Sequence, residues 1–247
     1  MIFLELVPRD LALFQNESSQ FVSKYSLDGV NVPHISRISV SSYYASELIL
    51  KKNITCIPHI KANSASIDDH IKSISKLLSL GLNSVLVVSG DKPLDQKDYF
   101  STSAIELIRA IKSHFNSLKV FAAFDPYRTS LMEEFSYCDK KRSAGVDGFF
   151  SQPFFDLRFL HFFLDYFKDD SFYAGLSPVL TTKSKTYWQQ RNRVFFPKSF
   201  SLSFETNVEF ARKALSLIKQ YQQHTYIMPI SVNVDAYLGG IFSREID

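Results

Sequence analysis

The stretch SIDDHIKSISKLLSLGLNSVLVVSGD, residues 66–91, contains one predicted helix followed by one predicted strand. Apolar residues recur at helical spacing from Ile67 to Leu78, after a serine suited to an N-cap and beside two aspartates that favour the helix dipole. Gly81 ends this helix, and the apolar run Ser84–Val88 then has the length of a strand. This order of elements is expected of βα units around a parallel sheet.

The same alternation continues along the chain in both directions. The other strand candidates are Ile2–Val7, Gly29–Val32, Ile54–Pro58, Lys119–Ala123, Gly148–Ser151, Phe172–Leu176 and Thr225–Met228. The other helix candidates are Leu11–Tyr25, Tyr43–Lys52, Ser103–Phe115, Ser130–Ala144, Leu157–Phe167 and Thr206–Gln222. Eight strands alternating with helices in 247 residues, without a linker or low-complexity tract, predict an α/β fold, a single-domain (β/α)₈ TIM barrel over residues 1–247.

Composition excludes several classes of protein. A hydrophobic content of 45% with 21% charged residues argues against a disordered chain. A net charge of +3 is too small to predict a nucleic-acid partner, and no apolar stretch is long enough to predict a membrane span. The two cysteines, Cys56 and Cys138, lack the spacing of a disulfide scaffold or zinc ribbon, so a cytoplasmic location is expected. The six histidines show no paired metal-ligand spacing, so no metal site is predicted.

Phosphate-binding signatures are also missing from the sequence. Neither G-x-G-x-x-G nor G-x-x-x-x-G-K-[ST] occurs, so any nucleotide must be held in another way. The segment Ser171–Phe204 contains no acidic residue and gathers five basic ones. Such a segment can bind a polycarboxylate tail, nucleotide phosphates or RNA, or can simply be a basic surface. RNA binding is the least favoured of these at the modest net charge.

Chemically active side chains gather where the predicted strands end. Active sites of TIM barrels lie at the carboxyl ends of the strands, so this clustering favours an enzyme. The residues are Glu5, His34, His59, Lys61, Ser89, Gly90, Asp91, Asp125, Arg128, Gln152, Asp156 and Ser177.

Glu5 and Asp91 are the most informative of these residues. Phe3, Glu5 and Val7 share one face of the first strand. If that face lines the barrel interior, burial raises the pKa of Glu5 toward that of a general acid; otherwise it is a surface carboxylate. Asp91 follows a glycine at the barrel rim, where it either contacts a ligand or caps a turn.

Several of these segments occur in the same order in a known family. The chain resembles methylenetetrahydrofolate reductase, the flavin-dependent (β/α)₈ enzyme of one-carbon metabolism. The combination spans nearly the whole chain and is more specific than any single piece. The segments that carry the resemblance are Phe3–Arg9, Pro58–His59, Gly81–Pro93, Ala144–Asp156 and Gly175–Val179.

The resemblance implies an oxidoreductase that uses FAD. A reduced pyridine nucleotide, NADH or NADPH, would reduce the flavin, which would then reduce 5,10-methylenetetrahydrofolate to 5-methyltetrahydrofolate for methionine biosynthesis. The implied partner is therefore a small-molecule reduced folate. Because members of the family are often oligomers, the resemblance also allows a homo-oligomer.

The resemblance assigns roles by position. Glu5 would be the general acid that helps open the methylene bridge, Asp91 would lie near the pterin and the flavin, and Gln152 would contact the pterin and the nicotinamide. Lys140 and Lys141, which in isolation are equally typical of a solvated helix end, fall among the positions that contact FAD. The complete set of implied FAD contacts is His59, Ser89, Gly90, Asp91, Phe124, Arg128, Lys140 and Lys141.

The chain departs from the family pattern on the flavin side. Ser89 stands where arginine is common, Phe124 where tyrosine is usual, and Arg128 where histidine is frequent. Pro33 and His34 replace a common Thr-Tyr-Gly segment. These departures motivate two alternatives: a folate-binding barrel without redox activity, such as a methyl-transfer subunit, and a relative that receives electrons from a partner protein.

Overall fold

The computed structural model describes residues 1–35, 37–90 and 100–243. Eight parallel strands close into a barrel in chain order, with the first strand paired to the last. The strands are β1 (Ile2–Glu5), β2 (Gly29–Val32), β3 (Cys56–Lys61), β4 (Ser84–Val88), β5 (Lys119–Phe124), β6 (Gly148–Pro153), β7 (Phe172–Leu176) and β8 (His224–Ile227). The predicted (β/α)₈ barrel is confirmed.

Helices surround this barrel on its outer side. They are α1 (Leu11–Tyr25), α2 (Ser42–Leu50), α3 (Ile67–Leu78), α4 (Ala104–His114), α5 (Leu131–Ser143), α6 (Leu157–Tyr166), α7 (Thr182–Asn192), α8 (Phe204–Gln220) and α9 (Val234–Phe242). Helices α7 and α9 were not among the sequence-based candidates. Trp188 is the buried residue of the otherwise polar α7, so its sequence lacks an apolar stripe, and α9 carries two glycines that argue against a helix. None of the described helices is long and apolar enough to cross a membrane.

Two strand boundaries differ from the prediction in a way that matters for function. Strand β3 extends to Lys61 instead of ending at Pro58, so His59 lies within the strand. Strand β6 extends to Pro153 and therefore includes Gln152. Because side chains alternate along a strand, their direction is set by the strand and not by a loop. The barrel wall itself thus orients both residues.

An apolar plug fills the barrel below its carboxyl end. Phe150 stacks on Tyr173 with ring centroids 4.0 Å apart, and Phe121 meets Tyr173 edge-on at 5.1 Å. A plug packed this densely leaves the open end above it as the place for a ligand. We call this open end the mouth. The buried residues of the plug are Phe3, Ile57, Leu86, Phe121, Phe150, Tyr173, Tyr226 and Met228.

Candidate active site

Glu5 lies on the inner face of β1, directly above Phe3 of the plug. Leu4, by contrast, packs outward in the core between barrel and helices. The alternative left open by the sequence is therefore resolved in favour of the interior. The Tyr226 hydroxyl of β8 donates a hydrogen bond to the Glu5 carboxyl group, which fixes its orientation.

The surroundings of Glu5 favour its neutral form. The side chain is partly accessible from the mouth, but the barrel wall and plug enclose the carboxyl group. Desolvation raises the pKa of Glu5 from 4.5 to about 8. At neutral pH the carboxyl group is mostly protonated, with a proton available to a bound molecule. Glu5 thus has the position and the protonation state of a general acid.

Strands β2 and β3 form the neighbouring wall of the mouth. Asn31 is the register partner of Glu5 across the β1–β2 pair. Burial, together with the charge of nearby His34, lowers the pKa of His59 to about 3. Burial also lowers the pKa of His34, helped by Lys61 and His70. The imidazoles of His34 and His59 are therefore neutral near pH 7 and offer hydrogen bonds instead of charge.

Buried polar atoms in this wall lack partners within the described residues. Neither side-chain atom of Asn31 is hydrogen-bonded there, and the same holds for Nδ1 of His34 and Nε2 of His59. The hydroxyl of Ser177, just past the end of β7, is also unpaired within those residues. An unsatisfied buried polar group costs about 1–3 kcal/mol. Such groups at a barrel mouth are what a polar ligand would satisfy.

Gly90 shapes the rim of the mouth after β4. Its backbone has a φ of 82°, and a Cβ placed on it would collide with the side chains of Lys61 and Asn63. Glycine is therefore required both by the backbone and by the space. Ser89 lies beside it, with its hydroxyl 3.4 Å from that of Tyr137. The predicted site residue Asp91 lies outside the described residues.

A cluster of charged residues joins the end of β5 to α5. Nη2 of Arg128 donates to Glu134 at 2.7 Å, and Nζ of Lys141 donates to the Ala123 carbonyl at 2.6 Å. Nζ of Lys141 also lies 4.1 Å from the centroid of the Tyr137 ring. Burial lowers the pKa of Lys141. The buried Lys141 therefore has partners within the protein, and this arrangement favours a role in holding α5 against the barrel.

Lys140 lies beside this cluster, on the lip of a surface groove of about 490 Å³. Its side chain is exposed, and Arg128 and Tyr137 line the same groove. The acids Glu133 and Glu134 line the groove as well, and Arg128 pairs with Glu134, so Lys140 beside the aromatic ring is the part of the groove that suits an anionic group such as a phosphate. The complete lining is Arg128, Thr129, Met132, Glu133, Glu134, Ser136, Tyr137 and Lys140.

Phe124 and Gln152 lie on the neighbouring strands β5 and β6 of the barrel wall. The Phe124 ring is fully buried on the helix-facing side, with ring centroids 5.0 Å from Phe163 and 4.9 Å from Phe167. The Phe124 side chain therefore faces away from the mouth, and its position does not support the predicted contact with a cofactor. Gln152 lies beyond Phe150 of the plug on β6, where the register of β6 against β7 shifts between Phe150 and Pro153, and its side chain is half-buried.

The acid-free segment contains the helix α7 and a small aromatic cluster. Trp188 is buried against Phe155, with ring centroids 5.9 Å apart. Nζ of Lys185 lies 5.5 Å from the centroids of both Phe196 and Phe200. Part of the basic character is thus used within the fold. Within the described ranges, no group of three or more His, Cys, Asp or Glu is placed to hold a metal ion.

Sequence reasoning did not single out Asn31 or Tyr226. In β2 the pattern Gly29-Val30-Asn31-Val32 places one polar residue between two outward valines, a signal of an inward polar side chain. Tyr226 had no such signal, because its contact with Glu5 joins residues 221 positions apart and forms only on barrel closure.

Solved structures with the same fold include proteins of several activities. An uncharacterized protein from Clostridium thermocellum that binds two copies of 5-methyl-5,6,7,8-tetrahydrofolic acid is 15% identical, with a TM-score of 0.66 over 98% of this chain and 94% of that one. N-acetylneuraminate lyase from Fusobacterium nucleatum is 13% identical, with a TM-score of 0.56 over 97% and 72%. A 2,3-dimethylmalate lyase is 13% identical, with a TM-score of 0.59 over 94% and 75%. At these identities the likeness concerns the fold alone.

A family relationship is visible at the level of sequence. No curated protein matches the chain in a direct comparison. The family model described as methylenetetrahydrofolate reductase matches residues 14–231. Glu5 precedes the matched residues, so the argument for it rests on geometry. Because the match covers most of its length, the chain belongs to the methylenetetrahydrofolate reductase family.

Proposed function

We propose that this chain reduces 5,10-methylenetetrahydrofolate to 5-methyltetrahydrofolate in the barrel mouth, with FAD as cofactor and NADH or NADPH as the reductant. The observation that carries the proposal is Glu5, a neutral carboxylic acid held inside the mouth by Tyr226. Family membership supports the reaction class. The Clostridium thermocellum protein, which binds a reduced folate, supports a folate as the ligand.

Glu5 would donate its proton to the leaving nitrogen of the methylene bridge. The carbon–nitrogen bond then breaks, its electron pair stays with the protonated nitrogen, and an iminium ion remains on the other nitrogen. Tyr226 holds the carboxyl group while the proton leaves, and the plug excludes water from below. A carboxyl group with a pKa of about 8 is matched to donation near neutral pH.

The described residues fit a flavin in part. Gly90 lets the side chains of Lys61 and Asn63 pack closely against the rim, and Lys140 and Arg128 would supply cationic groups for the diphosphate. His59, Ser89, Gly90, Arg128 and Lys140 would hold the cofactor. When bound and reduced by the pyridine nucleotide, FAD would supply the hydride for the iminium carbon.

Two half reactions test the proposal. The purified protein is expected to retain FAD, and its visible absorbance should bleach with NADH or NADPH in the absence of oxygen. Glu5→Gln should keep this bleaching but slow reduction of 5,10-methylenetetrahydrofolate by about 10²- to 10⁴-fold, the usual contribution of a general acid. Glu209→Gln, an exposed change on α8, is the matched control and should alter neither step.

Three outcomes would contradict parts of the proposal. Failure to bind FAD would exclude the flavin-dependent reaction. Equal loss of both half reactions in Glu5→Gln would make Glu5 structural. If the protein retains flavin but neither nucleotide reduces it, a protein electron donor would take the place of the nucleotide in the proposal.

A further inference from the structure

Asn31 is the most heavily buried polar residue of the mouth, with 0% of its surface exposed. Its neighbours Val30 and Val32 pack outward among the helices, so its carboxamide points into the barrel. Its register partners are Glu5 on β1 and Ile57 on β3. A carboxamide therefore lies at the upper edge of the plug, beside the proposed acid.

This carboxamide has strong hydrogen-bonding capacity and no partner among the residues described. It carries one acceptor oxygen and two N–H donors, and neither Oδ1 nor Nδ2 is hydrogen-bonded there. Leucine has a similar size and, like the inward Ile57 next to it, carries no polar side-chain atom that burial would leave unpaired. An asparagine here is therefore unfavourable in the empty barrel, and a bound molecule that pairs with it would remove that cost.

The rest of the wall indicates what kind of molecule that is. His34 and His59 also have unpaired nitrogens within the described residues, and both imidazoles are neutral near pH 7. Neutral donors and acceptors suit the edge of an uncharged heterocycle better than a phosphate or a carboxylate. A carboxamide matches a lactam edge, in which a C=O acceptor lies next to an N–H donor, because it can form both hydrogen bonds at once.

We propose that Asn31 recognises the lactam edge of a fused heterocycle and holds that ring beside Glu5. The inference rests on the proposed function for the identity of the ring. A lactam edge occurs both in the pterin of a reduced folate and in the pyrimidine ring of a flavin. Asn31 acts here in binding, as a positioning and specificity residue.

Equilibrium binding combined with stability of the unliganded protein tests this role. Asn31→Leu removes the hydrogen bonds at nearly constant size, and Asn31→Ala is a second variant in case leucine does not fit. The titrated probes are 5-methyltetrahydrofolate and FAD, measured separately. Ser46→Ala on α2 is the matched control, since it removes another buried hydroxyl without a partner in the described chain.

We expect affinity for one probe to fall by about 10- to 100-fold in both Asn31 variants, while Ser46→Ala binds like the wild type. Unliganded Asn31→Leu should melt at or above the wild-type temperature, because the unpaired polar group is gone. Loss confined to 5-methyltetrahydrofolate assigns the edge to the pterin, and loss confined to FAD assigns it to the flavin.

Unchanged affinity for both probes would overturn the inference, and a lower melting temperature of the unliganded variants would then make Asn31 structural. This result is distinguishable from failure of the proposed function. A wild-type protein that binds 5-methyltetrahydrofolate but reduces no folate would still show the Asn31 dependence in the same titration.

Discussion

Protonation of Glu5 is expected to make the stability of this barrel depend on pH. The ordinary pKa of 4.5 applies to the unfolded chain, whereas the folded barrel raises it to about 8. Between these values the folded state keeps a proton that the unfolded state has released, so the free energy of unfolding falls as pH rises. The slope is about 1.4 kcal/mol per pH unit, and the full window corresponds to an upper limit of about 5 kcal/mol. Partial access to solvent through the mouth reduces this figure.

Glu5→Gln isolates this contribution. Glutamine keeps the size of the side chain and still accepts the hydrogen bond from Tyr226, but it does not titrate. The difference in unfolding free energy, variant minus wild type, should rise from about pH 5 to about pH 8 and level off above that. Urea unfolding followed by circular dichroism at a series of pH values measures it. The subtraction removes the contributions of His59 and other groups common to both proteins.

A difference that stays constant across this pH range would refute the reasoning, because Glu5 would then be ionised in the folded barrel as in the unfolded chain. Glu209→Gln provides the matched control. Glu209 pairs with Lys213 on the surface, and its pKa is lowered by that hydrogen bond. Its difference curve should therefore be flat above about pH 5.

Further predictions concern His59, Gly90 and two of the implied cofactor contacts, Lys140 and Phe124. The pKa of buried His59 is lowered from 6.5 to about 3, so the folded protein loses stability as pH falls through this window and the unfolded chain binds a proton that folded His59 does not. His59→Gln should therefore make the free energy of unfolding, measured in urea, less sensitive to acid. An unchanged dependence of that free energy on pH would contradict this. Gly90→Ala should destabilise the protein more than Gly81→Ala in thermal unfolding, since both glycines have positive φ but no described atom lies within 4 Å of the Cβ position at Gly81; equal losses would mean that Lys61 and Asn63 move aside freely. Lys140→Ala should weaken FAD binding by about two- to fivefold without affecting riboflavin, which has no diphosphate, whereas Phe124→Leu should lower the melting temperature and leave FAD affinity unchanged. Fluorescence titration with FAD and riboflavin checks the Lys140 and Phe124 variants. If Phe124→Leu weakens FAD binding and Lys140→Ala does not, the cofactor would contact Phe124 instead of Lys140.

The parts of this site that the sequence could predict depend on short-range periodicity. Phe3 and Glu5 share a face because strand side chains alternate, and this holds for any barrel. Closure places Tyr226 and Glu5 in contact, and no local pattern encodes that meeting of the first and last strands. Asn31 gave a weak signal as a polar residue between two valines, but its lack of partners could be seen only in three dimensions.

Phe124 and α7 show why other parts could not be predicted. Strand β5 is apolar on both faces near its end, so its sequence does not tell which side faces the helices; the packing of Phe124 against Phe163 settles this. Helix α7 is held by the burial of Trp188 in the aromatic cluster, a tertiary contact that overrides its polar sequence.

Trp188 also gives the molecule a built-in optical reporter. It is the only tryptophan of the 247 residues, and it lies against Phe155, which follows β6 at the carboxyl end of the barrel. Tryptophan emission, excited at wavelengths that tyrosine does not absorb, therefore originates from this corner and not from the plug, whose fluorescent residues are Tyr173 and Tyr226. Unfolding followed by emission and by far-ultraviolet circular dichroism will coincide only if the corner and the barrel open together. Tryptophan emission thus reports on the corner and far-ultraviolet circular dichroism on the whole barrel, without any added label.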